Sequence, residues 1–365
     1  MKELEEWRLL DLDALPATDT QTIYEAVASA RSKNLVPETL ILCYPKSPLV
    51  CIGYHQDLEK EVDYSFCQSQ RIPVVRRILG GGAVYLDQGQ LFYQVIIDKK
   101  NPKVPLSIND FFRKLLEAPT KTYQELGIPA VYKPINDIEV GGRKISGNGA
   151  GTLENVVNIM TGNIIMDFNF EMMVKILKVP SEKFRDKVAK SLEERMTTIK
   201  KELGHEVPLE KIKSLLIKNY EETLDIKLRK GMLNDWEKKT MRGLKKKYQS
   251  QEWLNMVFLR HPDLARKVKI SSIAYVSESA YKAPGGLIRV TLRIDEDKIK
   301  EIMLSGDFFI YPEDKLSELE KRLTGVPTDI SEINQVIQTF YKEEKIETPG
   351  VTAQDFLTAI RQATE

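Results

Sequence analysis

The chain has 365 residues, 42% hydrophobic and 29% charged, with 54 basic against 53 acidic side chains and a formal net charge of +1. That length is more than one core usually serves, so two domains are expected, and the near-zero balance argues against a dedicated nucleic-acid binder, although a local basic site can hide within it. Three cysteines (Cys43, Cys51, Cys67) without CxxC spacing exclude a disulfide framework, and three scattered histidines (His55, His205, His261) make a zinc site or a Ser-His-Asp triad a poor reading.

The start, MKELEEWRLLDLDALPATDT, is acidic and lacks the apolar core of a signal peptide. No window approaches the ~18 consecutive apolar residues of a membrane span. A cytoplasmic protein with reduced thiols and no membrane partner is expected.

In chain order, TDTQTIYEAVASARSKN has a capping side chain and apolar residues at helical spacing, so it reads as a helix. TLILCY and LVCIGY are strand-like runs either side of a PKSP turn. DLEKEVDYSFCQSQRI reads as a helix, PVVRRI as a strand running into Gly80-Gly81-Gly82, and QLFYQVIID as a strand. SINDFFRKLLEAPTKTYQELG is an amphipathic helix that Pro119 must break or kink and Gly127 ends. Residues 135–147, INDIEVGGRKISG, form a hairpin around Gly141-Gly142, in which alternation places Arg143 and Ile145 on one face and Lys144 and Ser146 on the other. NVVNIMTGNIIMDFNF supplies a further pair of strands. Residues 170–250 turn helical, with SEKFRDKVAKSLEERMTTIKKELG and PLEKIKSLLIKNYEETL the strongest helices.

The run EKKTMRGLKKK at 237–247 reads as a solvated helix face ahead of an electrostatic docking patch. Beyond it come a hairpin at Pro284-Gly285-Gly286, a strand KIKEIMLSGDFFIYP and two or three short helices, the last with a capping pattern from Thr352 to Asp355. Strands and helices interleave without strict βαβ spacing, so the fold class is α+β, a mixed sheet with helices plus a small α+β C-terminal domain. The expected division is a catalytic domain over 1–250, a linker over 251–265 and an accessory domain over 266–365.

Two stretches carry chemistry. In VVRRILGGGAVYLDQGQLFYQV, Arg76 and Arg77 offer forked, permanently charged donors, and Gly80, Gly81 and Gly82 can take positive φ and let a ligand approach main-chain N–H groups. A phosphate or an acyl phosphate is the natural occupant; a plain glycine turn beside two solvated arginines is the competing reading. The second stretch puts Lys144 on a hairpin strand. Joining a carboxylic acid to an amine in water requires an activated acid, and an acyl adenylate provides one by expelling pyrophosphate. Its formation brings together two anions, a carboxylate and an α-phosphate, which fixed cations and main-chain donors must neutralise. A lysine can bridge them as a compact point charge.

RRILGGGAVYLDQG is similar to the Arg-Arg-x-x-Gly-Gly-Gly-Ala-Val segment of lipoate–protein ligases. NDIEVGGRKISGNG resembles their Asn-Asp…Gly-Arg-Lys-x-Ser-Gly segment, and LVCIGYHQDLEKEVD their earlier strand and loop. The resemblance covers residues 8–250, while YKAPGGLIRV, GDFFIYPED and LEKRLTG are similar to the family's accessory domain. It implies the biotin/lipoate ligase fold, related to class II aminoacyl-tRNA synthetases. The implied activity is ATP-dependent lipoate–protein ligation through lipoyl-AMP, with lipoate and ATP as substrates and Mg²⁺ as cofactor.

By the same resemblance Arg76, Arg77, Gly80, Gly81, Gly82, Ala83, Val84 and Tyr85 line the ATP or adenylate site. Lys144 contacts both carboxylate and phosphate as the catalytic residue. Asn136 and Asp137 help place adenosine, phosphates or Mg²⁺. The implied partner is an apo lipoyl-domain carrier: a dehydrogenase acyltransferase subunit, a glycine-cleavage H protein or a specialised lipoate-binding protein. Leu86-Asp87 and Met160-Thr161-Gly162 depart from the histidines that many relatives carry, which bears on acyl-chain and carrier preference. The alternatives are an octanoyl- or lipoyltransferase that moves the acyl group between carriers without ATP, commonly through a cysteine, and a non-catalytic carrier-binding homologue. A biotin ligase fits the motifs less well.

Overall fold

The structure, a computed structural model, describes residues 4–105, 107–178, 182–261, 264 and 275–365. The chain divides into two compact units. The first contains the residues up to Cys51, Val62–Val75 and Val84–Tyr248; the second contains Ile52–Glu61, Arg76–Ala83 and Gln249–Glu365. Two segments of the motif region, 52–61 and 76–83, therefore group with the C-terminal residues.

The N-terminal two thirds supply β1 (Glu5–Leu15), β2 (Thr39–Pro45), β3 (Leu49–Ile52), β4 (Val74–Arg76), β5 (Val84–Leu86) and β6 (Gln90–Asp98). These are followed by β7 (Val131–Lys133), β8 (Asp137–Val140), β9 (Arg143–Leu153), β10 (Val157–Ile165) and β11 (Ile226–Lys230). The main sheet has eight strands in the order β11-β1-β2-β6-β10-β9-β8-β7. β11 and β2 flank β1 in parallel and every other neighbour is antiparallel, the mixed sheet that the sequence pattern implies. β3, β4 and β5 form a separate small sheet, so the PKSP turn sends β2 and β3 into different sheets instead of closing a hairpin.

β6 is buried along eight of its nine residues because both its faces are covered. Leu91, Tyr93, Val95 and Ile97 join a core with Phe112, Leu115, Tyr123, Leu216 and Tyr220 from the helices Ile108–Leu115, Glu117–Glu125 and Leu209–Leu224. On the other face, Gln94 donates through Nε2 to the carbonyl of Thr20, 2.9 Å away in the helix Asp19–Ser32.

Several elements differ from the sequence reading. Thr18 precedes the first helix but makes no side-chain cap. The single helix expected after residue 57 is two, Leu58–Glu61 and Tyr64–Ser69, because Asp63 caps the second through the N–H of Phe66. The segment 155–170 holds one strand, β10, and the start of a helix, Phe170–Ile176, capped by Asn169. The long helix expected from residue 181 breaks into Glu182–Arg195 and Ile199–Leu203, where Thr198 starts a new cap.

β1 and β11 gave no sequence signal because their outer residues are charged. The basic run lies in the helix Asp235–Tyr248. There Glu237 forms a buried bidentate pair with Arg8, at 2.5 and 3.1 Å, and Lys245 and Lys247 pair with Asp19 and Glu25. A solvated, intramolecularly paired face accounts for it.

The second unit has a three-stranded antiparallel sheet of β12 (Tyr275–Ala283), β13 (Gly286–Asp295) and β14 (Lys298–Gly306) under three helices, Leu316–Leu323, Ile330–Glu343 and Ala353–Thr364. Ile288, Val290, Leu292 and Leu304 pack on Phe308, Leu319, Ile337, Phe340 and Phe356. Thr352 and Asp355 form the expected reciprocal capping box. Of the expected linker, Gln251–Leu254 and Met256–Leu259 are short helices, and residues 262, 263 and 265 lie outside the described residues. No helix among the described residues is long and apolar enough to cross a membrane.

Candidate active site

The hairpin that carries Lys144 is built on Gly141 and Gly142, with φ of +54° and +77°, as a two-residue turn between twisted strands requires. Ile138 pairs with Ser146 but Glu139 pairs with Lys144, so Ile145 is an extra residue, a bulge in β9. The bulge overturns strict alternation: Ile145 and Ser146 both end in the core around Tyr93, with Ser146 Oγ 3.0 Å from the Tyr93 hydroxyl. It also sets Gly147 opposite Asp137.

Lys144 Nζ lies 2.6 Å from Asp137 Oδ1, both side chains about one-third exposed. The lysine stem reaches that partner by crossing Gly147, where an added Cβ would stand 3.2 Å from Lys144 Cε. So open a pair contributes about 0–1 kcal/mol to stability. What it provides is a positive charge held at a fixed place and open to a ligand.

The surrounding polar groups are joined in sequence. Asn136 donates through Nδ2 to the carbonyl of Asn148, and Asn148 returns a 2.8 Å bond to the carbonyl of Asn136. The Tyr93 hydroxyl donates to Asn148 Oδ1 at 2.5 Å. Gly162 makes room for that bond, since a Cβ there would overlap Asn148 Oδ1 and the Tyr93 ring. The Gly147 N–H donates to Asn163 Oδ1 at 2.8 Å, Asn163 Nδ2 donates to Gln90 Oε1 at 2.8 Å, and Gln90 Nε2 donates to the Tyr85 carbonyl at 3.2 Å.

Burial pushes the Tyr85 hydroxyl up to about 12. Burial also raises the Asp87 carboxyl, offset in part by the Gly89 N–H. Beside Asp87, a cavity of about 500 Å³ is lined by Gln88, Asp167, Phe168 and Phe170.

In the second unit the Arg-Arg-x-x-Gly-Gly-Gly segment has a different character. Arg76 is fully buried, and its guanidinium donates to the carbonyls of Gly53, Tyr54, Gln56, Trp253 and Leu254 at 2.6–3.1 Å. The expectation that Arg76 grips an anion is corrected on that ground, because its donors brace the main chain. Arg77, half-buried, closes over its own loop, donating to the carbonyls of Gly80 and Gly82 at 2.7 and 2.9 Å.

Gly81 has φ +90°, and its N–H points at the Phe308 carbonyl, 3.4 Å away. A Cβ at Gly80 would meet that carbonyl and the Phe309 ring at 2.9 Å, and one at Gly81 would meet the ring at 3.1 Å. Gly82 is roomier, with Asp307 at 3.6 Å.

Of the residues singled out from sequence, the structure brings Asn136, Asp137, Lys144 and Tyr85 into one network of the first unit, with Val84 exposed at the start of β5. Arg76, Arg77, Gly80, Gly81, Gly82 and Ala83 fall in the second unit. Sequence reasoning missed Gln90, Tyr93, Asn148, Asn163 and Gly147. The available signal was an amide or a glycine inside runs otherwise apolar enough to be core strands. Among the described residues no group of three or more His, Cys, Asp or Glu side chains could hold a metal. Mg²⁺ seldom needs such a cage, since it usually takes one or two carboxylates with nucleotide oxygens and water; Asp137 offers one part-exposed carboxylate, whose Oδ1 already takes the Lys144 ammonium.

The structure thus presents a mixed α+β unit with a part-exposed lysine–aspartate site on a hairpin strand, and a smaller unit built on a three-stranded antiparallel sheet. Residues 16–221 match the family described as the lipoyl protein ligase A/B catalytic domain, and residues 272–360 match the bacterial lipoate protein ligase C-terminus. The chain belongs to the lipoate–protein ligase family.

It is 33% identical over 266 residues to lipoate-protein ligase A subunit 1 of Thermoplasma acidophilum, covering 70% of this chain and 98% of that one. It is 29% identical to lipoate-protein ligase LplJ of Bacillus subtilis, over 90% of this chain and 93% of that one. The octanoyltransferase LipM of Kyrpidia tusciae is 28% identical over 68% of this chain and 98% of its own length.

Among solved structures, the bipartite lipoate protein ligase of T. acidophilum, described with its E2 lipoyl domain, superposes with a TM-score of 0.61 at 30% identity, covering 69% of this chain and 96% of that one. A lipoate-protein ligase A bound with ATP gives 0.57 at 27% identity, over 68% and 98%.

Proposed function

We propose that the protein is an ATP-dependent lipoate–protein ligase. The carboxylate of lipoate attacks the α-phosphorus of ATP, forming lipoyl-AMP and releasing pyrophosphate. The ε-amine of a carrier lysine then attacks the acyl carbon, forming the amide and releasing AMP and a proton. The observation that favours this over thiol-dependent acyl transfer is the state of the cysteines. Cys43, Cys51 and Cys67 are all buried, and burial pushes the thiols of Cys43 and Cys67 up to about 12 and 11. The Cys51 thiol donates to Gln21 Oε1 at 3.6 Å. No thiolate nucleophile is on offer, so activation falls to a nucleotide.

In this reading Lys144 draws the two anions together as charge moves from carboxylate to phosphate, and Asp137 holds its ammonium until they arrive. Mg²⁺, when bound with the nucleotide, supplies further neutralisation. Arg77, Gly82, Ala83, Val84 and Tyr85 are assigned to the nucleotide on the strength of the motif. Asn136 shapes the hairpin entry. The division into a catalytic domain over 1–250 and an accessory domain from 266 belongs to the same proposal, as does an apo lipoyl carrier as partner.

The test is incubation with Mg-ATP, lipoate and a panel of apo-carriers, read by pyrophosphate release and intact carrier mass. Lipoate-dependent pyrophosphate and a carrier heavier by one lipoyl group are expected. Acylation from an octanoylated carrier without ATP, and no pyrophosphate, would make the protein a transferase.

A further inference from the structure

β9 and β10 run as a regular ladder from Val157↔Leu153 to Gly162↔Asn148, and there the pairing stops. β10 continues against β6 as far as Ile165↔Gln90, so β9 leaves its neighbour one residue before Gly147. A strand that leaves a ladder strands its next N–H, and a buried orphan of that kind costs about 1–3 kcal/mol. Here the Asn163 side chain takes the place of the lost main-chain acceptor: its Oδ1 receives the Gly147 N–H at 2.8 Å. The splay matters because Lys144 crosses Gly147 to reach Asp137. The position of the lysine stem is thus set by where Gly147 is pinned.

The other end of Asn163 is equally committed. Nδ2 donates to Gln90 Oε1 at 2.8 Å, and Gln90, only 1% exposed, turns its own Nε2 to the Tyr85 carbonyl at 3.2 Å and towards Asp87 Oδ1 at 3.4 Å. Two amides therefore stand head to tail, each accepting on one side and donating on the other. One end is the lysine strand and the other is the Tyr85–Asp87 segment.

We propose that Asn163 and Gln90 are positioning residues for the reaction at Lys144, fixing the register between the lysine strand and the segment that carries Tyr85 and Asp87. The inference rests on the ligase reading given above. Neither residue touches Lys144 Nζ in the structure's hydrogen-bond network; they act through Gly147 and the Tyr85 carbonyl.

The head-to-tail order makes the idea testable with an isosteric change. In Asn163→Asp a carboxylate still accepts from Gly147 but cannot donate to Gln90 Oε1, so two acceptors face each other. A protonated carboxyl restores one donor and one acceptor. Lipoate-dependent pyrophosphate release is measured on the full-length protein at pH 7.5 and at steps down to pH 5, each point as a ratio to the unsubstituted enzyme.

The expected result is a kcat lower by about 10- to 100-fold at pH 7.5, the scale of an ångström-level misplacement. KM for lipoate and ATP should stay within about threefold, and the ratio should climb as pH falls towards the carboxyl range. Asn163→Ala should lose rate without that recovery. Gln90→Glu, which keeps the acceptor for Asn163 and loses the donor to Tyr85, should show the same kcat-selective loss, so one poorly folding variant does not decide the matter.

A ratio near one for Asn163→Asp at every pH overturns the proposal. So does a joint loss in kcat and KM with no recovery at low pH. Lys144→Ala serves as the separate control: pyrophosphate release that survives it strikes at the ligase reading of the lysine, whatever Asn163 does.

Discussion

The lysine hairpin and the glycine segment both came out of the sequence as cation-plus-glycine motifs, and they use those residue types in opposite ways. At the hairpin, glycine removes bulk so that a charged stem can cross the strand, and the charge ends in an ion pair still one-third exposed. At the Arg-Arg-x-x-Gly-Gly-Gly segment, the cations turn inward. Arg76 has every nitrogen of its guanidinium on main-chain carbonyls, and Arg77 closes on Gly80 and Gly82. Its glycines admit the Phe308 carbonyl and the Phe309 ring. Sequence proximity of charge and glycine therefore says that backbone and cation meet; only burial tells whether the cation is available to a ligand.

Lys144→Ala tests the exposed half of that contrast and carries the largest expected effect. Deleting one preorganised charge at developing anions costs about 10²–10³-fold in rate, so lipoyl-adenylate formation should fall by that factor. Because a pair one-third exposed to solvent contributes little to folding, the thermal midpoint should move by no more than a degree or two. Wild-type pyrophosphate release, or a large drop in midpoint, would place the lysine among structural residues.

Arg76→Met tests the buried half. It removes a cation that holds five carbonyls; the Gly53 carbonyl keeps the Gln56 N–H and the Trp253 carbonyl the Asn255 N–H, and the lost donors cost about 3 kcal/mol of local stability. Amide exchange should speed up in residues 53–56, 77–83 and 253–254 and stay unchanged in β8 and β9. Unchanged protection around the glycine segment would show that the arginine is dispensable as a brace, and would reopen the anion-binding reading of Arg76.

How much of this was legible beforehand follows from the same physics. The Gly141-Gly142 hairpin, β6 and the Thr352–Asp355 box were readable because each depends on residues a few positions apart. β1, β2 and β11 form parallel neighbours separated by long stretches of chain, and no local pattern announces such pairing. The bulge at Ile145 was invisible for a related reason: it is defined by the register of a partner strand. Lys144 and Asp137 were found through motif and turn. Asn163 and Gln90 were not, since an amide in an apolar strand acquires meaning only when its two partners are known.

His55 offers the smallest and sharpest test of what the second unit does with a buried group whose charge, unlike that of Arg76, would find no hydrogen-bond partner. The ring is 1% exposed, stacks on Phe308 at 5.7 Å and 7°, and neither nitrogen has a hydrogen-bond partner. Burial, reinforced by the positive charges of Arg260 and Arg76, lowers its pKa from 6.5 to about 3. Between those two values the unfolded chain binds a proton that the folded chain refuses. Stability is therefore fully present above about pH 6.5 and drains away as pH falls towards 3. At pH 5 the loss from this one group is about 2 kcal/mol, taking 1.36 kcal/mol per unit. His55→Phe keeps an aromatic ring against Phe308 and has nothing to protonate. Urea unfolding at pH 7.5 and pH 5 should show the substituted protein losing about 2 kcal/mol less than the parent on acidification. Equal losses in the two proteins would mean that His55 takes up its proton without opening the fold, and that an unpartnered charge can stand beside Phe308.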